Sequence, residues 1–141
     1  MKRKKAEILL VEDNADDAEL ALLAIKKTNI IEDSQIHVVR DGVEALKYLF
    51  DTEDTVRFED NIRLNHCPLL ILLDLNLPKL DGLDLLKKIK SHPEAKKIPV
   101  IILTSSREER DIIESYHLGA NSYIQKPVDF NQFTEAVKLC T

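Results

Sequence analysis

Runs of four or five apolar side chains punctuate this chain, and between them lie longer stretches whose apolar positions recur at helical spacing. Ile8-Leu9-Leu10-Val11, Ile36–Val39, Leu69–Leu73 and Val100–Leu103 are such runs, and Tyr123-Ile124 is a shorter fifth. Leu69–Leu73 is aliphatic throughout, the signature of a strand covered on both faces. Each run is followed by a helical pattern. Ala15–Thr28 carries Asp16, Asp17 and Glu19 at its start and Lys26 and Lys27 at its end, an order that complements a helix macrodipole. Asp41-Gly-Val-Glu44 has the spacing of a capping box and precedes Ala45, Leu46 and Leu49 on one face. After Asp81-Gly82, Leu85, Leu86 and Ile89 form the next amphipathic stripe, which His92-Pro93 helps to stop. Ser106-Arg-Glu-Glu109 predicts another capping box, opening a helix that runs to Gly119, a suitable C′ residue. Asp129-Phe-Asn-Gln132 caps a last helix, whose Phe130, Phe133, Val137 and Cys140 line up as one core stripe.

Five alternations of strand and helix predict an α/β domain: a doubly wound, five-stranded parallel sheet with helices on both faces, because each crossover is right-handed. Strand order does not follow from alternation alone. The segment 51–67 breaks the rhythm, being charged, weakly periodic and longer than a typical connection, and reads as a solvated insertion in preference to a partner surface. At 141 residues the chain is expected to be one domain, large enough to bury roughly two-thirds of its unfolded surface unaided.

Composition narrows the function. No apolar stretch nears the roughly 20 residues that cross a bilayer, and the basic tip at 1–5 is followed by a strand pattern with no signal-like core, so a cytoplasmic protein without membrane contact is expected. Cys67 and Cys140 read as thiols. A net charge of −5 weighs against nucleic-acid binding, which rests on cations that neutralise phosphates. His37, His66, His92 and His117 are scattered without metal-ligand spacing.

The candidate chemistry sits where the strands end. Asp13, Asp74, Thr104 and Lys126 stand at the carboxyl ends of four predicted strands, the edge where open α/β sheets bind ligands. With Glu12 the set is three carboxylates, one hydroxyl and one ammonium. Clustered carboxylates repel one another and need a counter-ion, and a hard cation such as Mg²⁺ takes one or two of them and leaves an acid free. Asp74 is the expected free acid, able to attack phosphorus and form an acyl phosphate while Lys126 neutralises the transferring group and Thr104 hydrogen-bonds one of its oxygens.

These residues lie in motifs that resemble a known family. Leu10-Val11-Glu12-Asp13-Asn14, Leu72-Leu73-Asp74-Leu75-Asn76-Leu77-Pro78, Asp81-Gly82, Leu103-Thr104-Ser105 and Gln125-Lys126-Pro127, in this order, are similar to the receiver domain of two-component response regulators. The likeness extends to the chemotaxis regulator and to single-domain regulators that serve phytochrome-type histidine kinases. It covers Ile8 to Val137; Asp74 to Thr104 is 30 residues and Thr104 to Lys126 is 22, as the family pattern has them. Asp13 to Asp74, at 61, is longer than in a minimal receiver, the surplus falling in the 51–67 insertion. The resemblance implies a flavodoxin-like sheet of order 2-1-3-4-5 and a Mg²⁺ ion held by Glu12, Asp13, Asp74 and the Asn76 backbone carbonyl. It further implies phosphorylation of Asp74, pairing of Lys126 with the phosphate, a cis peptide before Pro127, and a switch pair made by Thr104 and Tyr123. Asn76 and Ser106 occupy positions that set the dephosphorylation rate in the family.

The implied protein is a stand-alone phosphoreceiver, monomer or weak homodimer, which takes its phosphoryl group from a sensor histidine kinase and signals to an unknown partner protein. It would be no enzyme beyond its own phosphorylation and autodephosphorylation. Two other classes compete. A haloacid-dehalogenase-type phosphatase also uses an Asp nucleophile with Thr, Lys and Mg²⁺, but needs a second Asp two residues on, where this chain has Asn76. A phosphorylation-independent interaction module would have no use for the complete acid, Thr104 and Lys126 set. Nucleotide binding is disfavoured by the lack of a Gly-rich phosphate loop.

Overall fold

The computed structural model describes residues 7–29, 35–50 and 62–140; the basic tip at 1–5 and residues 51–61 of the insertion lie outside them. The elements are β1 (Ile8–Val11), α1 (Ala15–Thr28), β2 (Ile36–Val39), α2 (Gly42–Leu49), β3 (Leu70–Leu73), α3 (Gly82–Ser91), β4 (Val100–Thr104), α4 (Glu109–His117), β5 (Ser122–Gln125) and α5 (Phe130–Cys140), with a 3₁₀ turn at Ala95–Lys97. All neighbouring strands pair in parallel, in the order β2-β1-β3-β4-β5.

Alternation along the strands divides the core in two. Ile8, Leu10, Leu70, Leu72, Ile101 and Leu103 face α1 and α5, where they meet Ala18, Ala21, Ile25, Phe133 and Val137. Leu9, Val11, Ile71, Leu73, Val100 and Ile102 face the other way, onto Leu46, Leu49, Leu85, Leu86 and Ile89 of α2 and α3. The central strands β1, β3 and β4 are buried at every position, so strand register is fixed on both faces at once.

Local chemistry places most boundaries. Asn14 caps α1 by accepting the Asp17 N–H, and Asp41 caps α2 by accepting the Glu44 N–H at 2.7 Å. Glu44 reaches back to the Arg40 N–H at 3.3 Å, one residue before the cap, so the box is closed one step early. Asp129 accepts the Gln132 N–H at 3.0 Å and opens α5. Gly119, at φ 107°, ends the α4 turn, with its own N–H on the Tyr116 carbonyl and the Ala120 N–H on that of Ser115.

Two sequence expectations fail for identifiable reasons. Ser106 does not cap α4: its hydroxyl donates to Asp111 Oδ2 at 2.7 Å, and the helix begins at Glu109, behind Glu108, without a side-chain cap. Phe130 does not share the buried stripe of Phe133 and Val137; it is exposed and lies 5.5 Å beneath the Lys27 ammonium. The far end of the insertion is tied down. Leu64 bridges Phe50, His66 Nδ1 meets the Tyr48 carbonyl at 2.7 Å, and the buried His92 ring holds the Ile62 carbonyl through Nε2 at 2.6 Å. His37 and His66 stack on opposite faces of Tyr48, each 4.1 Å away between ring centres. Three of the four histidines thus hold the fold together. Cys67 and Cys140 are free thiols.

Candidate functional site

The sheet ladder continues one residue past three strands and fixes the site by backbone alone. The Glu12 N–H reaches the Val39 carbonyl at 2.9 Å, Asp74 reaches Val11 at 3.1 Å and Lys126 reaches Thr104 at 2.9 Å. Side chains from β1, β3 and β5 therefore leave the sheet at one edge with little freedom of placement. They meet at the Lys126 ammonium, whose Nζ lies 2.5 Å from Glu12 Oε1, 2.9 Å from Asp74 Oδ2 and 2.9 Å from Asp17 Oδ2. Glu12 and Asp74 are buried, with 4% and 8% of their side chains exposed, and Lys126 is at 13%. The remaining oxygens are also engaged. Glu12 Oε2 accepts the Asn14 N–H at 3.2 Å and Asp74 Oδ1 accepts the Asn76 N–H at 3.1 Å.

The other predicted residues surround this knot. Asp13 is exposed at the end of β1, beside Glu12. Thr104 is fully buried and its Oγ1 accepts the Ser106 N–H at 3.3 Å. Tyr123 is buried on β5, and its hydroxyl donates to the Ser106 carbonyl at 2.9 Å. Ser106 thus joins Thr104, Tyr123 and, through its hydroxyl, α4. The Lys126-Pro127 peptide is cis. Beside the ammonium runs a half-open cleft lined by Asp17, Leu20, Ser105, Lys126, Pro127 and Val128, which leaves room to approach Lys126 from the α1 side.

Burial pushes the Glu12 carboxyl up to about 7; the Lys126 hydrogen bond opposes the shift and the Asp74 charge adds to it. The Lys126 ammonium feels the reverse balance. Burial alone would lower it, but its hydrogen bonds to Glu12, Asp17 and Asp74 prevail and hold it well above the ordinary lysine value. The lysine is therefore a fixed cation, while Glu12 exchanges a proton near neutrality. Burial likewise raises the Tyr123 phenol, with Asp111 and Asp74 contributing.

Among the described residues no three His, Cys, Asp or Glu side chains form a ready-made metal cage. The acids are instead gathered round an ammonium, which an incoming divalent cation would have to displace from Glu12 and Asp74. Such a site suits a small, hard ligand of opposite charge, or the pairing of an anion with Lys126 once the acids are neutralised.

Sequence reasoning missed Asp17, which it read only as a first-turn acid. No local spacing marks it, because its partner Lys126 lies 109 residues away in the chain.

A parallel sheet of order 2-1-3-4-5 whose switch point between β1 and β3 carries paired acids, faced by a lysine from β5, defines the flavodoxin-like receiver class. Residues 8–138 match the family model of the response regulator receiver domain, and the chain belongs to that family. It is 43% identical to response regulator Rcp1 of Synechocystis sp. over 119 residues, 84% of this chain and 75% of that protein. The Mn²⁺-bound structure of Rcp1 superposes with a TM-score of 0.72 and 37% identity, covering 95% of this chain and 90% of that one. The bacteriophytochrome response regulator RtBRR has a TM-score of 0.77 and 44% identity, over 96% of this chain and 77% of that one. The phosphorylated cyanobacterial phytochrome response regulator RcpA has 0.70 and 39%, over 96% and 90%.

Proposed function

We propose that this chain is a phosphoreceiver that accepts a phosphoryl group on Asp74 from a histidine kinase. The observation that carries the reading is the Lys126 ammonium seated at once on Asp74 and Glu12, on a side chain only 13% exposed. That ammonium neutralises the acids at rest and is already in place to pair with phosphoryl oxygens. An Asp74 carboxylate oxygen attacks the phosphorus of a phosphohistidine, the P–N bond breaks as the P–O bond forms, and the imidazole leaves. Thr104 supplies the buried hydroxyl for the new phosphate. Its partner Ser106 then loses an acceptor, and through Ser106 the change reaches Tyr123 and α4, the proposed route of the switch.

Glu12, Asp13, Asp74 and the Asn76 carbonyl are the proposed holders of Mg²⁺. The fit rests on the donor set: oxygen only, with a pair of buried acids already bound to a cation. When bound, the metal neutralises charge on the transferring group. Relatives described as phosphorylated or Mn²⁺-bound support both assignments. A phytochrome-type kinase is the proposed donor, on the likeness to RtBRR and RcpA. Output is proposed to pass to a partner protein, with no catalysis beyond self-phosphorylation and self-dephosphorylation. No helix among the described residues is long and apolar enough to cross a membrane. Incubation with acetyl phosphate and Mg²⁺ should add one phosphoryl group to the wild type and none to Asp74→Asn; equal labelling of both refutes the assignment.

A further inference from the structure

We infer that Asp17 is a positioning residue that keeps the Lys126 ammonium at the phosphoryl site from the α1 side; the inference rests on the phosphoreceiver reading. An ammonium has three N–H bonds. Here three carboxylates accept them, Glu12 at 2.5 Å and Asp74 and Asp17 at 2.9 Å each. Two of these acceptors stand on strand ends and belong to the proposed metal and phosphoryl chemistry. Asp17 stands apart, on the first turn of α1.

Its placement is built. Glu12 Oε2 accepts the Asn14 N–H at 3.2 Å, Asn14 Oδ1 accepts the Asp17 N–H at 2.9 Å, Asp17 accepts Lys126, and Lys126 returns to Glu12. This closed ring of hydrogen bonds ties the start of α1 to the end of β5. An ordinary first-turn acid answers only to the helix dipole.

The three partners differ in what happens when ligand arrives. With the site empty, loss of Asp17 leaves the ammonium on two buried carboxylates, so its position is kept. With metal and phosphoryl group present, Glu12 and Asp74 are taken up, and Asp17 is the one original anion still free to hold the lysine. Removing Asp17 therefore costs more in the loaded state than in the empty one, and that difference lowers affinity for a phosphoryl ligand. At 37% side-chain exposure the Asp17 charge is partly screened by water, which sets the expected loss at about fivefold.

Calorimetric titration with beryllofluoride at saturating Mg²⁺ tests this on the full chain. Asp17→Ala should bind about fivefold more weakly than wild type, and Asp17→Asn, which keeps an oxygen acceptor and the same shape, about twofold more weakly. Asp16→Ala, which removes an equal charge from the same helix turn, should bind as wild type. In ¹⁵N-lysine-labelled protein loaded with beryllofluoride, the Lys126 ammonium signal should be retained in wild type and lost to exchange in Asp17→Ala. Wild-type affinity in both Asp17 variants overturns the inference, as does an equal loss in Asp16→Ala or an ammonium signal indifferent to Asp17. Failure of the wild type to bind beryllofluoride would remove the phosphoreceiver reading itself, and this inference with it.

Discussion

Replacing Lys126 by Met keeps most of the aliphatic stem and deletes the ammonium, so the variant isolates the charge that holds the acid cluster together. Three charge-assisted hydrogen bonds are lost, and two of the acceptors, Glu12 and Asp74, are left at 4% and 8% exposure. Removing one partner of a buried ion pair costs about 3 to 5 kcal/mol. Two features moderate the figure. Each buried carboxylate keeps one backbone N–H, from Asn14 or Asn76, and Glu12 can take up a proton because its carboxyl titrates at about 7. A loss of about 3 kcal/mol is expected at pH values about one unit above that midpoint, equivalent to a fall in Tm of about 10 °C for a chain of this size. Below pH 7 the loss should shrink, because Glu12 then carries its own proton. Urea and thermal denaturation in EDTA, followed by far-UV circular dichroism since the chain has no Trp, give both numbers. Unfolding of Lys126→Met within about 0.5 kcal/mol of wild type would refute the claim that the ammonium neutralises these acids, since that is the ordinary scatter of surface substitutions.

Three further outcomes follow from the same geometry. In metal-free protein the raised Glu12 carboxyl contributes stability that is fully present below pH 4.5 and is lost as pH rises to about 7. Lys126, raised above its ordinary 10.5, adds no slope in that window, so Glu12→Gln should flatten the pH dependence of urea stability between these limits; an unchanged slope contradicts the assignment. Gly82→Ala would place a Cβ 2.4 Å from the Asp74 carbonyl oxygen and 2.5 Å from Leu75 Cα, both backbone, so the loop behind the acceptor must shift. A loss of about 1 to 3 kcal/mol with slower acetyl phosphate labelling is expected, against unaltered labelling and stability if the loop yields freely. His92→Phe would strip Ile62 of its ring partner and leave the Glu94 and Ala95 N–H groups without the Nδ1 acceptor. Its expected cost is about 1 to 3 kcal/mol, with faster amide exchange at Glu94 and Ala95 as the local signature.

Much of this architecture was legible in the sequence because it rests on short-range rules. The all-apolar runs at β1, β3 and β4 are buried at every position, as a strand covered on both faces requires, and the Asp41 and Asp129 caps bond where their spacing places them. Misreadings arose where a side chain had a tertiary partner that spacing cannot reveal. Ser106 has capping-box spacing, yet Asp111, in the first turn of α4, takes its hydroxyl and the helix starts later. Phe130 has stripe spacing, yet it lies at the rim where Lys27 covers it. Asp74, Thr104 and Lys126 were readable as one site from their places at strand ends, but strand order needed the family resemblance, because alternation cannot pair elements distant in sequence. Asp17 escaped for the same reason, since its pairing with Lys126 spans 109 residues of sequence.

The central claim is that Asp74, held against the Lys126 ammonium, is the residue that carries the phosphoryl group. Intact-mass measurement after acetyl phosphate and Mg²⁺, followed by peptide mapping of the borohydride-reduced product, tests it most directly. One phosphoryl addition per chain, mapping to Asp74 and absent from Asp74→Asn, is the predicted result; a label on another residue, or one that survives in Asp74→Asn, would contradict it.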